Sequence, residues 1–192
     1  MVAMNAAIVK ACERDEFHQL TTGKDSRTGV HSFSLMMCGF EKLAIQGDAH
    51  ATAALIDGLS LTAERILPKC VDGQMTSIML GLGKLHDSMG TRHTRHLLPG
   101  TALQTAMNRA VIREARRTTR VGFPPSVLQA VNYFSHRSVP YAVPDEVQAA
   151  LAAAIMRLAP QMHTTDIADT LAAYGRLEGR VKIPAEVTLV RR

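Results

Sequence analysis

The side chains of this sequence that are best suited to bind a ligand are arginines that recur at the three- and four-residue spacing of a helix. Four of them form one cluster: Arg113, Arg116, Arg117 and Arg120. Because residues three and four apart are neighbours on a helix, this spacing predicts one basic side near a helix end. Guanidinium groups donate hydrogen bonds in a planar fork that matches phosphate oxygens. We therefore predict that the cluster binds phosphate. The alternative is a structural role, since cations are also favourable at a helix C-terminus without any ligand.

A second basic set lies in the loop at residues 91–96, which contains Arg92, His93, Arg95 and His96. We predict that Arg92 and Arg95 contact phosphate, and we add Arg137 to the same set of RNA-binding residues. The alternative for such a loop is simple solvation. The histidines do not predict a metal site, because no cysteine or carboxylate completes a spacing that zinc uses.

Other kinds of chemistry leave no motif in the sequence. There is no glycine-rich phosphate loop, no paired-carboxylate pattern and no Ser/His/Asp pattern. We therefore expect no enzyme, no catalytic residue and no cofactor. The three cysteines, Cys12, Cys38 and Cys70, are far apart and odd in number, which suits a reducing compartment. Cys38 is predicted to be a small core residue.

The composition predicts one folded domain with a polyanionic partner. The chain has 192 residues, enough to bury a sizeable core, and 46% of them are apolar. The net charge is +5 and the pI about 9.4. No apolar run approaches the roughly 20 residues of a membrane span, so we expect no membrane partner. We also expect no small-molecule substrate.

The spacing of apolar residues predicts an all-α protein. Apolar side chains recur in steps of three and four, and no stretch alternates in the manner of a strand. Proline at positions 68, 140 and 160 is predicted to stop helices, while Pro124, Pro125 and Pro144 are predicted to open them. Helices are predicted at residues 2–20, 31–43, 49–67, 75–85, 101–119, 124–134, 144–158 and 164–177, the last capped by Thr164 or Thr165.

Every second predicted helix carries the same short pattern, at residues 37–43, 79–85, 128–134 and 171–177. The patterns end at four apolar anchors: Leu43, Leu85, Phe134 and Leu177. The anchors are 42, 49 and 43 residues apart, and the long interval fits a seven-residue insertion at residues 91–97. Repeated helix pairs of this length predict an α-solenoid, with units of about 40 residues filling 1–192. The alternative is chance similarity among helices rich in Leu and Ala.

Two columns of this repeat predict how the helices pack. Small residues stand four positions before each anchor: Gly39, Gly81, Ala130 and Ala173. Because glycine costs about 1 kcal/mol relative to alanine in a helix, the two glycines predict close helix approach. Apolar or aromatic residues stand three positions before each anchor: Phe40, Leu82, Val131 and Tyr174. Their phase favours core packing over stacking on bases.

The anchor helix resembles the second helix of octotricopeptide repeats and of their FAST-kinase-like and heptatricopeptide relatives. Residues 166–177 follow the family pattern closely, and residues 80–85 follow its end. The tryptophan of that pattern is replaced in the four units by Cys38, Leu80, Gln129 and Ala172. The third unit also departs, with Tyr133-Phe134 where Lys-Leu is expected. The resemblance implies an organellar RNA-binding protein.

The resemblance and the basic charge together lead to one functional prediction. We expect an RNA-binding helical-repeat protein of the mitochondrion, or alternatively of the chloroplast. A short array without a nuclease segment favours an accessory structural component of a mitochondrial ribosome, with rRNA and neighbouring ribosomal proteins as partners. Two alternatives remain: a protein–protein adaptor that binds no RNA, and an organellar RNA maturation or stability factor.

Overall fold

The computed structural model describes residues 2–17, 26–45, 51–89, 100–134 and 143–177. Within these ranges every regular element is helical and no strand occurs, which confirms the all-α prediction. The helices are α1 (Val2–Glu13), α2 (Ser26–Ile45), α3 (Ala53–Ile66), α4 (Asp72–Met89), α5 (Ala102–Arg117), α6 (Phe123–Phe134), α7 (Asp145–Leu158) and α8 (Thr164–Arg176). Short 3-10 turns at Leu67–Lys69 and Ala159–Gln161 follow α3 and α7.

Helix ends follow the chemistry of the sequence at most positions. The Thr52 hydroxyl accepts a hydrogen bond from the Leu55 N–H at 3.2 Å and so caps α3. Thr101 caps α5 in the same way. Pro144 precedes α7, whose first turn is acidic, as predicted. The prolines predicted to stop α3 and α7 lie in the two 3-10 turns, where a proline is accommodated without breaking a helix interior.

Several predicted helix ends were wrong: α2 begins at Ser26 instead of residue 31, and α4 ends at Met89 instead of residue 85. The first helix ends at Glu13 instead of Leu20, because the backbone turns at Asp15, whose φ is 56°. Asp72 and Gly73 open α4 instead of forming the turn before it. At α8 the N-cap is His163, not a threonine, and its N–H donates to Asp166 Oδ2 at 3.1 Å. An acidic side chain three residues into the helix thus completes this cap.

The eight helices alternate between two rows. The first row consists of α1, α3, α5 and α7, and each of these helices contacts the next one in the row. The second row consists of α2, α4, α6 and α8, with the same order of contacts. The hydrophobic core extends along the chain from Cys12 to Leu177, between and within the rows. The Phe17 ring adds an edge-to-face contact with Phe33 of α2, with centroids 5.3 Å apart.

The predicted core column lies in this core. Its members are at most 5% exposed: Phe40, Leu82, Val131 and Tyr174. Tyr174 and Phe40 are therefore packing residues, as predicted, and are not available to stack on bases. The anchors Leu85 and Leu177 are fully buried, whereas Leu43 is only half-buried. α2 is the first described helix of its row, which accounts for the greater exposure of Leu43.

The two glycines of the small-residue column differ. A Cβ atom on Gly81 would overlap the carbonyl oxygen of Met37 and lie 3.0 Å from its carbonyl carbon. Gly81 therefore lets α2 approach α4 closely, as predicted. The same prediction was wrong for Gly39, which is exposed and would place a Cβ within 4 Å of no described neighbour. Gly39 has no preceding helix of its row in the described part of the chain.

The cysteines differ from one another in burial. Cys12 and Cys70 are in the core, and burial raises the pKa of the Cys70 thiol to about 12, which keeps it protonated and unreactive. Cys38 is half-buried, so its prediction as a core residue was wrong. Among the described helices, none is both long and apolar enough to cross a membrane.

Candidate nucleic-acid interface

Arg113 is a structural residue that closes the end of a neighbouring helix. Its guanidinium group reaches from α5 to three carbonyl oxygens that follow α3. Nη1 donates to Pro68 O at 2.7 Å, while Nη2 donates to Cys70 O at 2.6 Å and lies 3.3 Å from Leu67 O. Carbonyls at a helix end have no partner within the helix, so this arginine supplies the donors they need. Little of its donor capacity is left for phosphate.

Arg117 is held by the same buried carboxylate as Arg113. Glu114 is 3% exposed, and Arg113 Nε donates to its Oε1 at 2.8 Å. Arg117 makes a two-pronged contact, with Nε 3.1 Å from Oε2 and Nη2 3.0 Å from Oε1. A buried carboxylate needs such pairing. The Arg117 side chain remains 55% exposed, so its outer face reaches solvent.

Arg116 and Arg120 are the more accessible members of the cluster. The Arg116 side chain is 70% exposed, and its nearest carboxylate, on Glu146 of α7, is 4.0 Å away. An exposed pair at this distance contributes little. Arg120 lies beyond the end of α5, with its Nη1 against Gly73 at the start of α4. The prediction of a single helix side for all four arginines was therefore wrong, because α5 ends at Arg117.

A repeated arginine contact joins the helices of the first row, and sequence reasoning missed it. Arg157 of α7 donates from Nη2 to Ala115 O at 2.8 Å and to Thr118 O at 2.9 Å, at the end of α5. Arg65 of α3 similarly reaches Asp15 beyond α1, at 2.8 Å. We call these contacts, with that of Arg113, the arginine clips. The three arginines are 48 and 44 residues apart, close to the anchor spacings of 49 and 43, and this was the signal in the sequence.

The arginine clips all lie at the same edge of the two rows of helices. Each connects the C-terminal part of a first-row helix to the end of the preceding one, so α1, α3, α5 and α7 run in the same direction. Shortly after the ends of α3, α5 and α7, the helices α4, α6 and α8 begin. We call this side the elbow edge. Exposed cations along this edge include Lys69, Arg116, Arg117 and Arg120.

A polar pocket opens at the elbow edge between the first turns of α4 and α6. It has a volume of about 260 Å³. Arg120 stands in its wall, and its other lining residues are small, hydroxylated or aromatic: Gly73, Thr76, Ser77, Gly122, Phe123 and Ser126. Pockets for drug-sized ligands are about 300–1,000 Å³. This one therefore suits a single small group, such as one nucleotide of a longer chain.

A second concavity, of about 430 Å³, lies beside α1 and the start of α3. Its wall includes Ala6, Val9 and Ala54, with Lys10 and Glu13 at its polar positions. Its more apolar lining distinguishes it from the pocket beside Arg120. Among its described lining residues Lys10 is the one cation, so this part of the chain does not offer a cluster of cations for a polyanion.

Three of the predicted RNA-binding residues lie outside the described residues: Arg92, Arg95 and Arg137. The same is true of His93 and His96. Within the described ranges, no group of three or more His, Cys, Asp or Glu side chains is placed to hold a metal ion.

Searches against protein-family models, curated proteins and solved structures found no match to this chain.

Proposed function

We propose that this protein is an RNA-binding helical-repeat protein of the mitochondrion that holds a segment of rRNA as a structural component of the ribosome. The supporting observation is the elbow edge, where exposed Arg116 and Arg120 flank the half-exposed Arg117 beside a nucleotide-sized pocket. Phosphate contacts from Arg and Lys supply most of the affinity in such complexes. The mitochondrial and ribosomal parts of the proposal rest on the octotricopeptide resemblance.

The repeat architecture is also part of the proposal. Two rows of helices in which each helix contacts the next one suit an α-solenoid built from helix pairs. The arginine clips recur at nearly the spacing of the anchors. An array of this kind presents equivalent positions along one edge, so it can follow an extended RNA backbone.

The experiment is a salt titration of RNA binding with charge-reversed variants of the full chain. Arg116→Glu is the informative variant, because Arg116 is exposed and makes only a distant ion pair. The expected result is weaker binding and a slope of log K against log salt that is shallower by about 0.7 for each phosphate that the variant no longer neutralises. Arg117→Glu is a poor choice, since it would place a second carboxylate against buried Glu114.

Lys42→Glu is the matched control. Lys42 is an exposed cation in the last turn of α2, away from the elbow edge, and the substitution changes the charge by the same amount. It is expected to leave the salt slope nearly unchanged. Equal effects of the two variants would indicate a nonspecific charge effect, and an unchanged slope for Arg116→Glu would remove the elbow edge from the interface.

The alternative function is a helical-repeat adaptor that binds protein and no RNA. The observation that favours it is the more apolar concavity beside α1. Crosslinking the native protein to RNA in its organelle, followed by sequencing of the attached RNA, separates the two functions. Enrichment of one rRNA segment supports the ribosomal role, several processed transcripts support a maturation or stability factor, and no RNA supports the adaptor.

A further inference from the structure

The pocket beside Arg120 contains two copies of the same hydrogen-bonded pair, a serine and the glycine four residues before it. Ser77 of α4 donates its hydroxyl hydrogen to Gly73 O at 3.0 Å, and Ser126 of α6 donates to Gly122 O at 2.9 Å. The two serines are 49 residues apart, as are the two glycines and the anchors Leu85 and Phe134. Equivalent turns of neighbouring units therefore face each other across one cavity. This pairing does not recur in the other units, where Leu35 and Asp169 take the places of the serines.

The hydrogen bonds within the pocket determine which donors and acceptors a ligand must have to bind there. Each serine has used its single hydrogen on a backbone carbonyl, so each hydroxyl oxygen has only acceptor lone pairs left for a ligand. Arg120 contributes donors and no acceptor. A bare phosphate, which is acceptor-only when fully ionised, matches Arg120 but does not match Ser77 or Ser126. The complementary ligand has a hydroxyl donor next to an anionic group.

We propose that this pocket holds one ribonucleotide of the bound RNA, with its 2′-hydroxyl donating to one of the two serine oxygens and its phosphate accepting from Arg120. The proposal rests on the RNA-binding function above and adds a chemical preference to it. The 2′-hydroxyl is the group by which proteins distinguish RNA from DNA at a given site. This site therefore makes the protein select RNA over DNA of the same sequence.

Two binding probes test the preference: a random-sequence RNA pool of about 25 nucleotides, long enough to follow several units, and a matched DNA pool with deoxyuridine in place of thymidine. Fluorescence anisotropy with the full chain gives both affinities. Wild type is expected to bind the RNA pool about tenfold more tightly, the order that one or two net hydrogen bonds produce. The variant Ser77→Ala with Ser126→Ala is expected to bring this ratio close to one by weakening RNA binding while leaving DNA binding unchanged.

Ser88→Ala is the matched control. Ser88 is on α4 like Ser77 and also donates to a backbone carbonyl, that of Leu85 at 2.7 Å, but it is near the other end of the helix. It is expected to keep the RNA preference. Arg120→Gln is expected to weaken both pools, because both have the phosphate.

The outcomes separate this site from the function on which it rests. Salt-dependent binding of both pools with equal affinity would overturn the ribose site and leave the RNA-binding interface intact. An equal loss of RNA and DNA binding in the double serine variant would also overturn the site, since the preference would then arise elsewhere. Binding of neither pool at low salt would overturn both proposals.

Discussion

Gly81 of α4 packs directly against the backbone carbonyl of Met37 on α2, with no room for a side chain between them. Gly81→Ala is expected to lower the free energy of unfolding by about 1–3 kcal/mol, because two packed backbones must separate to admit a Cβ atom. Urea denaturation followed by circular dichroism measures the change. An unaffected midpoint would mean that the helices can shift apart at little cost.

Gly39→Ala tests the same substitution at the equivalent position of α2. Since a Cβ atom there meets no described neighbour, only the helix preference of alanine counts. The variant is expected to be more stable than wild type by about 0.5–1 kcal/mol. The two glycine variants should therefore change stability in opposite directions. Destabilisation by Gly39→Ala would show that this face of α2 is covered in solution.

Arg113→Met removes an arginine clip but keeps an unbranched apolar side chain that resembles the aliphatic part of arginine. The carbonyls of Pro68 and Cys70 lose their donor, and buried Glu114 keeps only Arg117. The expected loss of stability is about 2–4 kcal/mol. Thermal and urea unfolding are both suitable measurements.

Arg116→Met is the control variant for the loss of stability expected of Arg113→Met. Its side chain is exposed and its ion pair long, so the change is expected to stay within about 0.5 kcal/mol. Similar losses from the two variants would contradict the separation between a structural Arg113 and an accessible Arg116.

Lys84 and Glu41 join α2 to α4 through an ion pair of 2.8 Å that is largely buried. Lys84→Met is expected to cost about 1–3 kcal/mol, because it leaves the Glu41 carboxylate without its ammonium partner in a partly desolvated place. The double variant Lys84→Met with Glu41→Leu is expected to recover most of that loss. A double-mutant cycle measured by urea denaturation gives the coupling energy, and additive losses would show that the pair does not interact in solution.

Stability is expected to fall at alkaline pH because burial raises the pKa of several acids, most strongly those of Cys70 and Tyr174. Burial raises the pKa of both the Cys70 thiol and the Tyr174 hydroxyl to about 12, whereas in the unfolded chain these groups lose protons near about 8.5 and 10. Between those values the native state binds more protons than the unfolded state. The free energy of unfolding should therefore decrease by up to about 1.4 kcal/mol per pH unit for each group, from about pH 8.5 for Cys70 and from about pH 10 for Tyr174.

The variants Cys70→Ala and Tyr174→Phe identify the two contributions. Each is expected to flatten the pH dependence in its own window, as measured by urea midpoints at about pH 8, 9.5 and 11. A slope that neither variant changes would assign the alkaline effect to other groups.

The sequence predicted the helices and much of the core because apolar periodicity reports directly on which side of a helix is buried. The apolar residues of α3 and α7 recur at this spacing and are buried, for example Leu55 with Leu59 and Val147 with Leu151. Helix starts were predicted where proline or an acidic first turn fixes them. The N-cap of α8 was not predicted, because a histidine N-cap paired with Asp166 is an uncommon signal.

The roles of the arginines could not be read from their spacing alone. The partners of Arg113 and Arg157 are backbone carbonyls. Every residue has a backbone carbonyl, so the sequence does not show which ones an arginine contacts. The pairing of Ser77 with Ser126 across the pocket was hidden for a related reason. Only the positions of α4 and α6 bring the two together, and their common spacing becomes informative once the units are aligned.

The arginine clips also have a mechanical consequence. Each clip links a helix only to its predecessor in the row, so a pulling force applied at the two ends of the chain passes through the clips in series. The contacts at the weakest junction would break first, and each rupture would release one helix pair before the next junction bears the full load. A single-molecule extension trace would then show a few separate force peaks, with the Arg113 junction, which is anchored by three carbonyls, among the last to yield.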